Sequence, residues 1–305
     1  MVALDPALHK ILPVVPAENE DEPVNEHQQY NLYLSRVCAI VVTCNRKDLL
    51  EACLDSLLSQ TRPVDKIVVV DNASTDGTAT LLDSKYPQAA RLNLKENLGG
   101  AGGMCSGIRW SHCNKFEWTW VMHDGIKLKP DCLETMLSFA GDADMIQVRT
   151  ESNQPAAPEK AWVRTEQCDF QGTLIGAKVI DAAGLPDDRY FETCDDTSYG
   201  YIAAQKTRSI LLACAGMIQL APDETLTNRA TIYLSVRNRF LNRENLTRSG
   251  LPPNSARFFV ETVLVLLHKL GEAAGMSGDK ARNALAAIDG LRDGIHKRFD
   301  RIPRL

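Results

Sequence analysis

The sequence predicts an α/β protein, a sheet flanked by helices on both faces and followed by a helical C-terminal region. Short, continuously apolar, β-rich runs recur at 37–43, 66–71 and 118–122, the pattern of strands buried on both faces. Between them, apolar residues fall at helical spacing, as in Leu49, Leu50, Cys53, Leu54, Leu57 and Leu58. The connections are short. Strands alternating with helices in this way predict a mostly parallel sheet.

Residues 1–35 read as a leader or a packed arm, with prolines at 6, 13, 16 and 23 and the acidic cluster Glu18, Glu20, Asp21 and Glu22. The sheet domain is expected over 36–225. Its second strand runs into Asn72-Ala-Ser-Thr-Asp-Gly-Thr78, which combines turn and helix-capping chemistry. A helix to about Tyr86, a strand near Arg91–Leu94, a helix after Gly99 and the strand from Trp118 follow. A polar loop is expected at 151–161, then a strand and short helix within 170–185. The helical region, 226–305, has candidates at 226–244, 255–274 and 279–297.

Composition excludes several classes. The 305 residues are 44% hydrophobic and 24% charged, ordinary for a folded protein. A net charge of −5 argues against nucleic-acid binding. No apolar run reaches the roughly 18 residues of a membrane span. The first ten residues lack a signal-peptide pattern. Nine cysteines without a Cys-x-x-Cys pair fit buried thiols in a reducing, cytoplasmic compartment.

Open α/β sheets bind ligands beyond the carboxyl ends of their strands. Three polar segments fall there: Thr43-Cys-Asn-Arg46, Asp71-Asn72 and His123-Asp124-Gly125. Asp71 suits a nucleotide base or ribose, and Arg46 a phosphate. The run Asn97-Leu-Gly99-Gly100-Ala-Gly102-Gly103 fails the dinucleotide fingerprint because Cys105 stands where a glycine is needed. Its glycines allow a helix start to approach a ligand or the sheet. In Asp195-Asp196, one carboxylate can cap a helix while the other enters a cleft as a general base.

In this order, and with Gly184-Leu-Pro186 and Tyr233-Leu-Ser-Val-Arg-Asn238, these runs resemble the inverting GT-A glycosyltransferases. The likeness covers roughly 36–300 and is greatest to bacterial galactofuranosyl- and rhamnosyltransferases of cell-wall and O-antigen assembly. It implies a GT-A-type nucleotide-diphospho-sugar-binding sheet. It also implies a UDP- or dTDP-linked donor, a glycan or lipid-linked acceptor and single displacement with inversion. Thr43, Arg46, Asp71 and Asn72 match positions that hold nucleoside and diphosphate. Asn97, Gly99 and Gly100 match the loop at donor phosphate and sugar. Asp195 or Asp196 matches the catalytic base.

The chain also departs from that pattern. The family's Asp-rich triplet, which holds a divalent cation, is here His123-Asp124-Gly125. Gln219 stands where a metal-binding histidine is common, and Ser198 and Ile202 replace an acidic residue and an arginine after the paired aspartates. Three readings stay open. Mn²⁺ or Mg²⁺ is held by Asp124, His123 and the donor phosphates. Alternatively, Lys127, Lys129 and Arg237 replace the metal as an electrostatic clamp. In the third, the chain is a donor-binding or scaffolding relative without chemistry.

Two further expectations concern surfaces. Trp118, Trp120 and Trp162 either line an acceptor sugar site or lie in the core. Phe258, Phe259, Val263, Leu264, Leu266 and Leu267, with Lys297, Arg298, Arg301 and Arg304 nearby, suit either peripheral membrane contact or a core or homo-oligomer interface.

Overall fold

The computed structural model describes residues 35–150, 161–220, 228–275 and 279–300. The leader expected at 1–35 lies outside these except for Ser35, as does most of the polar loop and the expected domain boundary at 225. The strands are β1 (Val37–Thr43), β2 (Lys66–Asp71), β3 (Ala90–Asn93), β4 (Trp118–His123), β5 (Ile126–Leu128), β6 (Met145–Thr150), β7 (Trp162–Arg164), β8 (Thr173–Gly176) and β9 (Ser209–Gln219). The helices are α1 (Lys47–Leu58), α2 (Thr78–Lys85), α3 (Gly99–Cys113), α4 (Cys132–Ser138), α5 (Ala177–Ala183), α6 (Asp195–Lys206), α7 (Asn228–Arg248), α8 (Ser255–Gly275) and α9 (Lys280–Ile295).

One sheet runs β3-β2-β1-β4-β8-β6-β9-β5, with β7 also on β9. The pairs β1–β2, β1–β4, β2–β3 and β6–β9 are parallel. The pairs β4–β8, β6–β8, β5–β9 and β7–β9 are antiparallel. The sheet is therefore mixed, which corrects the mostly parallel expectation. Its second half needs no crossover helix between antiparallel neighbours. Its strands β5, β6 and β7 are short and carry Lys127, Arg149 and Arg164, whereas β9 holds a continuous apolar run over 210–218.

The parallel half positions the site. Thr43 pairs with Asp71, Val42 with His123 and Asp71 with Asn93, so the carboxyl ends of β1, β2, β3 and β4 share one edge. On one face α1 buries Leu50, Cys53, Leu54 and Leu57 with Val37, Ala39, Val41, Trp120 and Met122. Full burial of a leucine is worth roughly 1.5–3 kcal/mol. On the other face, Met104 and Ile108 of α3 meet Ile40, Val42, Val70 and Val121. That helix lies close to the sheet because it lacks side chains at two positions. A Cβ on Gly103 would fall 2.5 Å from Val42 Cγ1, and one on Gly107 closer still to Ile40.

Trp118 and Trp120 belong to the core, and Trp120 Nε1–H donates to the Gly172 carbonyl at 3.0 Å. Trp162 is half-buried against the same cluster. The acceptor-stacking expectation fails for the first two because both rings are covered by the protein's own side chains. The C-terminal helices form a third cluster, including Ile232, Tyr233, Val236, Ala273 and Ala287. No helix among the described residues is long and apolar enough to cross a membrane.

Candidate functional site

Two turns brace each other at the sheet edge. Asn45, in the left-handed region that asparagine tolerates, receives the Thr75 N–H on Oδ1 at 2.7 Å and donates its own N–H to Ser74 Oγ at 2.9 Å. Asp76 accepts the N–H groups of Lys47 (2.9 Å) and Thr78 (3.1 Å), serving the first turns of α1 and α2. Asp71 Oδ1 accepts from Ser74 N–H at 2.9 Å. Oδ2 of Asp71 makes no hydrogen bond among the described residues.

Asp124 is almost fully buried beneath these turns. Its Oδ2 accepts from Thr43 Oγ1 at 2.7 Å, and its Oδ1 pairs with the Arg46 guanidinium at 3.3 Å. The neighbouring His123 lies on the other side of the sheet, where its Cε1 would be 3.1 Å from a Cβ on Gly100. Successive residues of a strand face opposite ways, so the two expected metal ligands, His123 and Asp124, do not converge. Among the described residues, no three His, Cys, Asp or Glu side chains gather as a metal group. Even a cation completed by substrate phosphates and water needs a carboxylate free to bind it, and both Asp124 oxygens are engaged, one against a guanidinium, so this donor set does not fit a hard divalent cation.

The glycine-rich run makes the start of α3. Asn97 Oδ1 accepts the Gly99 N–H at 2.8 Å. Asn72 accepts the Leu98 N–H at 2.9 Å and donates to the Gly99 carbonyl at 2.8 Å. The Asn72 amide is engaged on both sides with the turn beside which the resemblance places the donor. It thereby positions that turn. Of the two roles open for the glycines, Gly103 and Gly107 serve sheet packing, and Gly100 faces His123.

A loop unforeseen in the sequence joins this helix start to α6. Phe191, Thr193 and Cys194 all have positive φ, near 66°, a rare and costly conformation for such side chains. The Phe191 carbonyl accepts the Ala101 N–H at 3.0 Å. Asn238 Nδ2 donates to the carbonyls of Glu192 (2.8 Å) and Thr193 (3.0 Å), and the Arg237 guanidinium donates to those of Arg189 and Tyr190, both at 2.8 Å. Arg237, expected in a cationic clamp, is fully buried. Its charge serves the loop because five donors in a fixed fork satisfy several carbonyls at once. Ser198 is also structural, bridging Tyr190 Oη and Asn242 Oδ1, each at 2.9 Å.

The loop delivers Asp195 and Asp196 to the first turn of α6. The Thr197 N–H donates to Asp196 Oδ1 at 2.6 Å. Burial, then the charges of Asp195 and Asp169, push the Asp196 pKa well above the carboxylate range. Asp169 precedes β8, whose Thr173 pairs with Val121 near the end of β4. Asp196 thus senses a carboxylate rooted beside the strand edge, a neighbour the sequence did not reveal. Asp195 lines a cavity of about 360 Å³ together with Asp187, Arg189, Tyr190, Asn245 and Arg248. Lys127 is exposed on β5. Lys129 is half-buried, its backbone bonded to Gly216 and Gln60. Cys44 lies in a carboxylate-rich crevice: burial, then Asp71, Asp124, Asp76 and Glu192, push its pKa up.

Residues 38–185 match the family model described as glycosyl transferase family 2. Galactofuranosyltransferase GlfT1 of Mycolicibacterium smegmatis is 29% identical over 188 residues, 52% of this chain and 62% of its own length. The match thus spans less than two thirds of that curated relative. Among solved structures, S. aureus TarS 1–349 in complex with UDP-GlcNAc has a TM-score of 0.61 at 14% identity, covering 87% of this chain and 83% of that one. Mannosyltransferase PcManGT from Pyrobaculum calidifontis, in complex with GDP-Man and Mn²⁺, has a TM-score of 0.56 at 20% identity, covering 88% and 83%. At these identities the structural likeness establishes the GT-A-like fold.

Proposed function

From the match of residues 38–185 to the glycosyl transferase family 2 model, we propose that this chain is a glycosyltransferase and that it transfers galactofuranose, or failing that rhamnose. The donor is a UDP- or dTDP-linked sugar, and the acceptor is a glycan or lipid-linked glycan of the cell envelope. The galactofuranosyltransferase relative supports the choice of sugar and of cell-wall synthesis. The observation that carries the reaction is the pair Asp195-Asp196, with Asp196 pushed toward higher basicity beside Asp195 and Asp169.

In this reading Asp71 accepts hydrogen bonds from the base or ribose through Oδ2. Arg46 meets the diphosphate, and the backbone at Gly99 and Gly100 leaves room for phosphate and sugar. Asp196 takes the proton of the acceptor hydroxyl. That oxygen forms a bond to the anomeric carbon as the bond from carbon to the diphosphate breaks. The electron pair leaves with the nucleoside diphosphate, and the configuration inverts. A base with a raised pKa drives this proton transfer more strongly. Asp195 supports it by charge, and the cavity it lines offers hydrogen-bonding groups to an acceptor glycan.

The outward face of α8 supports a peripheral membrane contact that would suit a lipid-linked acceptor. Phe259, Leu264 and Leu267 are exposed there. The test of the whole reading is a transfer assay with UDP-galactofuranose and dTDP-rhamnose on lipid-linked acceptors, alongside UDP binding. Asp196→Asn should bind UDP like the wild type and lose transfer, while Asp195→Asn keeps part of it. Full transfer by both variants would overturn the base assignment. UDP binding with no transfer to any acceptor would favour a binding or scaffolding role.

A further inference from the structure

We infer that Arg46, anchored by Asp124, is the resident cation for the donor diphosphate, and that donor binding requires no divalent metal. This rests on the nucleotide-diphosphate reading above.

The crevice around Cys44 gathers Asp71, Asp124, Asp76 and Glu192. A diphosphate entering so negative a surface needs a compensating positive charge. Asp124 is the one carboxylate of its triplet, 2% exposed, and it already holds Thr43 Oγ1 and the Arg46 guanidinium. A divalent ion bound to Asp124 would have to displace Arg46 or sit within a few ångströms of its charge, where repulsion is large. His123, turned toward Gly100, brings no compensating ligand.

Arg46 is well placed for the task. It occupies the N-terminal boundary of α1, directly after the carboxyl end of β1. The Asp124 contact fixes one side of the guanidinium. Its fork of five donors can bind carboxylate and phosphate oxygens together, which a lysine ammonium does only as a point charge. Asp124 then acts as a positioning residue that holds Arg46. Lys127, by contrast, is exposed on β5.

The experiment is calorimetric titration of the full-length protein with UDP and dTDP, each in EDTA and in Mn²⁺. For the tighter nucleotide, affinity in the two conditions should agree within about threefold. Arg46→Ala should weaken the diphosphate at least tenfold while changing binding of the corresponding nucleoside less than threefold. Arg46→Lys should fall between the wild type and Arg46→Ala, which separates loss of the guanidinium from misfolding. Asp124→Asn should weaken the diphosphate less than Arg46→Ala and create no Mn²⁺ requirement. Wild-type binding strengthened tenfold or more by Mn²⁺, and a gain abolished by Asp124→Asn, would overturn the inference while leaving the proposed function intact. Absence of UDP and dTDP binding in both conditions would overturn the donor reading itself, and this inference with it.

Discussion

Gly99 and Phe191 meet where no side chain fits. Gly99 has φ +72°, and a Cβ there would overlap the Phe191 carbonyl and ring. That carbonyl also accepts the Ala101 N–H at 3.0 Å. The start of α3 and the loop carrying the paired aspartates are thus built as one unit. Gly99→Ala adds a strained φ and a clash with backbone at once. It should destabilise by about 2–4 kcal/mol and reduce both UDP binding and transfer. Gly77 also has positive φ but nothing within 4 Å of a Cβ. Gly77→Ala should lose only the conformational part, about 1 kcal/mol, and keep its affinity for UDP. Urea unfolding with calorimetry distinguishes the two variants.

Asn238 governs the same loop from the helical region. Replacing it by alanine leaves the carbonyls of Glu192 and Thr193 without this donor and releases three residues held at positive φ. The expected loss is roughly 1–3 kcal/mol in stability. Because the loop sets the position of Asp196, kcat should fall at least tenfold while UDP affinity changes much less. Equal losses in UDP affinity and kcat would show that the loop acts mainly on the donor.

The strand ends of this site were legible because buried parallel strands and their turns have strong local signals. Val37–Thr43 and Lys66–Asp71 are continuous apolar runs, and the turn after Asp71 is rich in Ser, Thr, Asp and Gly. The helical spacing of Leu50, Leu54 and Leu57 marks α1 as clearly. By contrast, β5 and β7 are only three residues long, and the apolar run of β9 does not by itself reveal that it pairs with β5, β6 and β7. The positive-φ loop at 191–194 contains no glycine to announce it. The roles of Arg237 and Asn238 depend on carbonyls some 45 residues away, beyond any local pattern. A buried Arg-Asn pair among Tyr233, Leu234, Val236 and Leu241 was the available signal for an internal anchor rather than a ligand contact.

Asp196 makes opposite demands on stability and catalysis. Its folded pKa is raised by burial, Asp195 and Asp169. Its contribution to stability is therefore full below the unfolded value, near 3.9, and is lost as pH rises through the folded value. Asp196→Asn does not titrate, so it should melt higher than the wild type at pH 7. The gap should close near pH 3. Catalysis requires the ionised form, so the acid limb of the wild-type transfer profile should lie above the ordinary carboxylate range. Asp195→Asn removes one of the charges raising that pKa and should move the limb to lower pH. A limb unmoved in Asp195→Asn would remove the charge coupling from the argument.

The apolar residues of α8 divide between two faces. Leu266 and Val265 pack on the third cluster, and Phe258 meets Phe240 edge-on with ring centroids 5.4 Å apart. Phe259, Leu264 and Leu267 point away, 69%, 60% and 60% exposed. Packing within the described chain accounts for the first face only. The basic groups nearby are partly neutralised: Arg257 pairs with Glu261, and Lys297 with Glu244. Membrane contact through this helix should therefore rest on apolar insertion more than on charge. Sedimentation with vesicles containing phosphatidylglycerol should show binding that weakens less than threefold between 50 and 500 mM salt, conditions chosen to span roughly 14 to 4 Å of screening. The double variant Phe259→Asp, Leu264→Asp should abolish that binding while retaining UDP affinity. If it instead converts a dimer to a monomer in analytical ultracentrifugation and leaves vesicle binding unchanged, the face is a contact between copies of the chain.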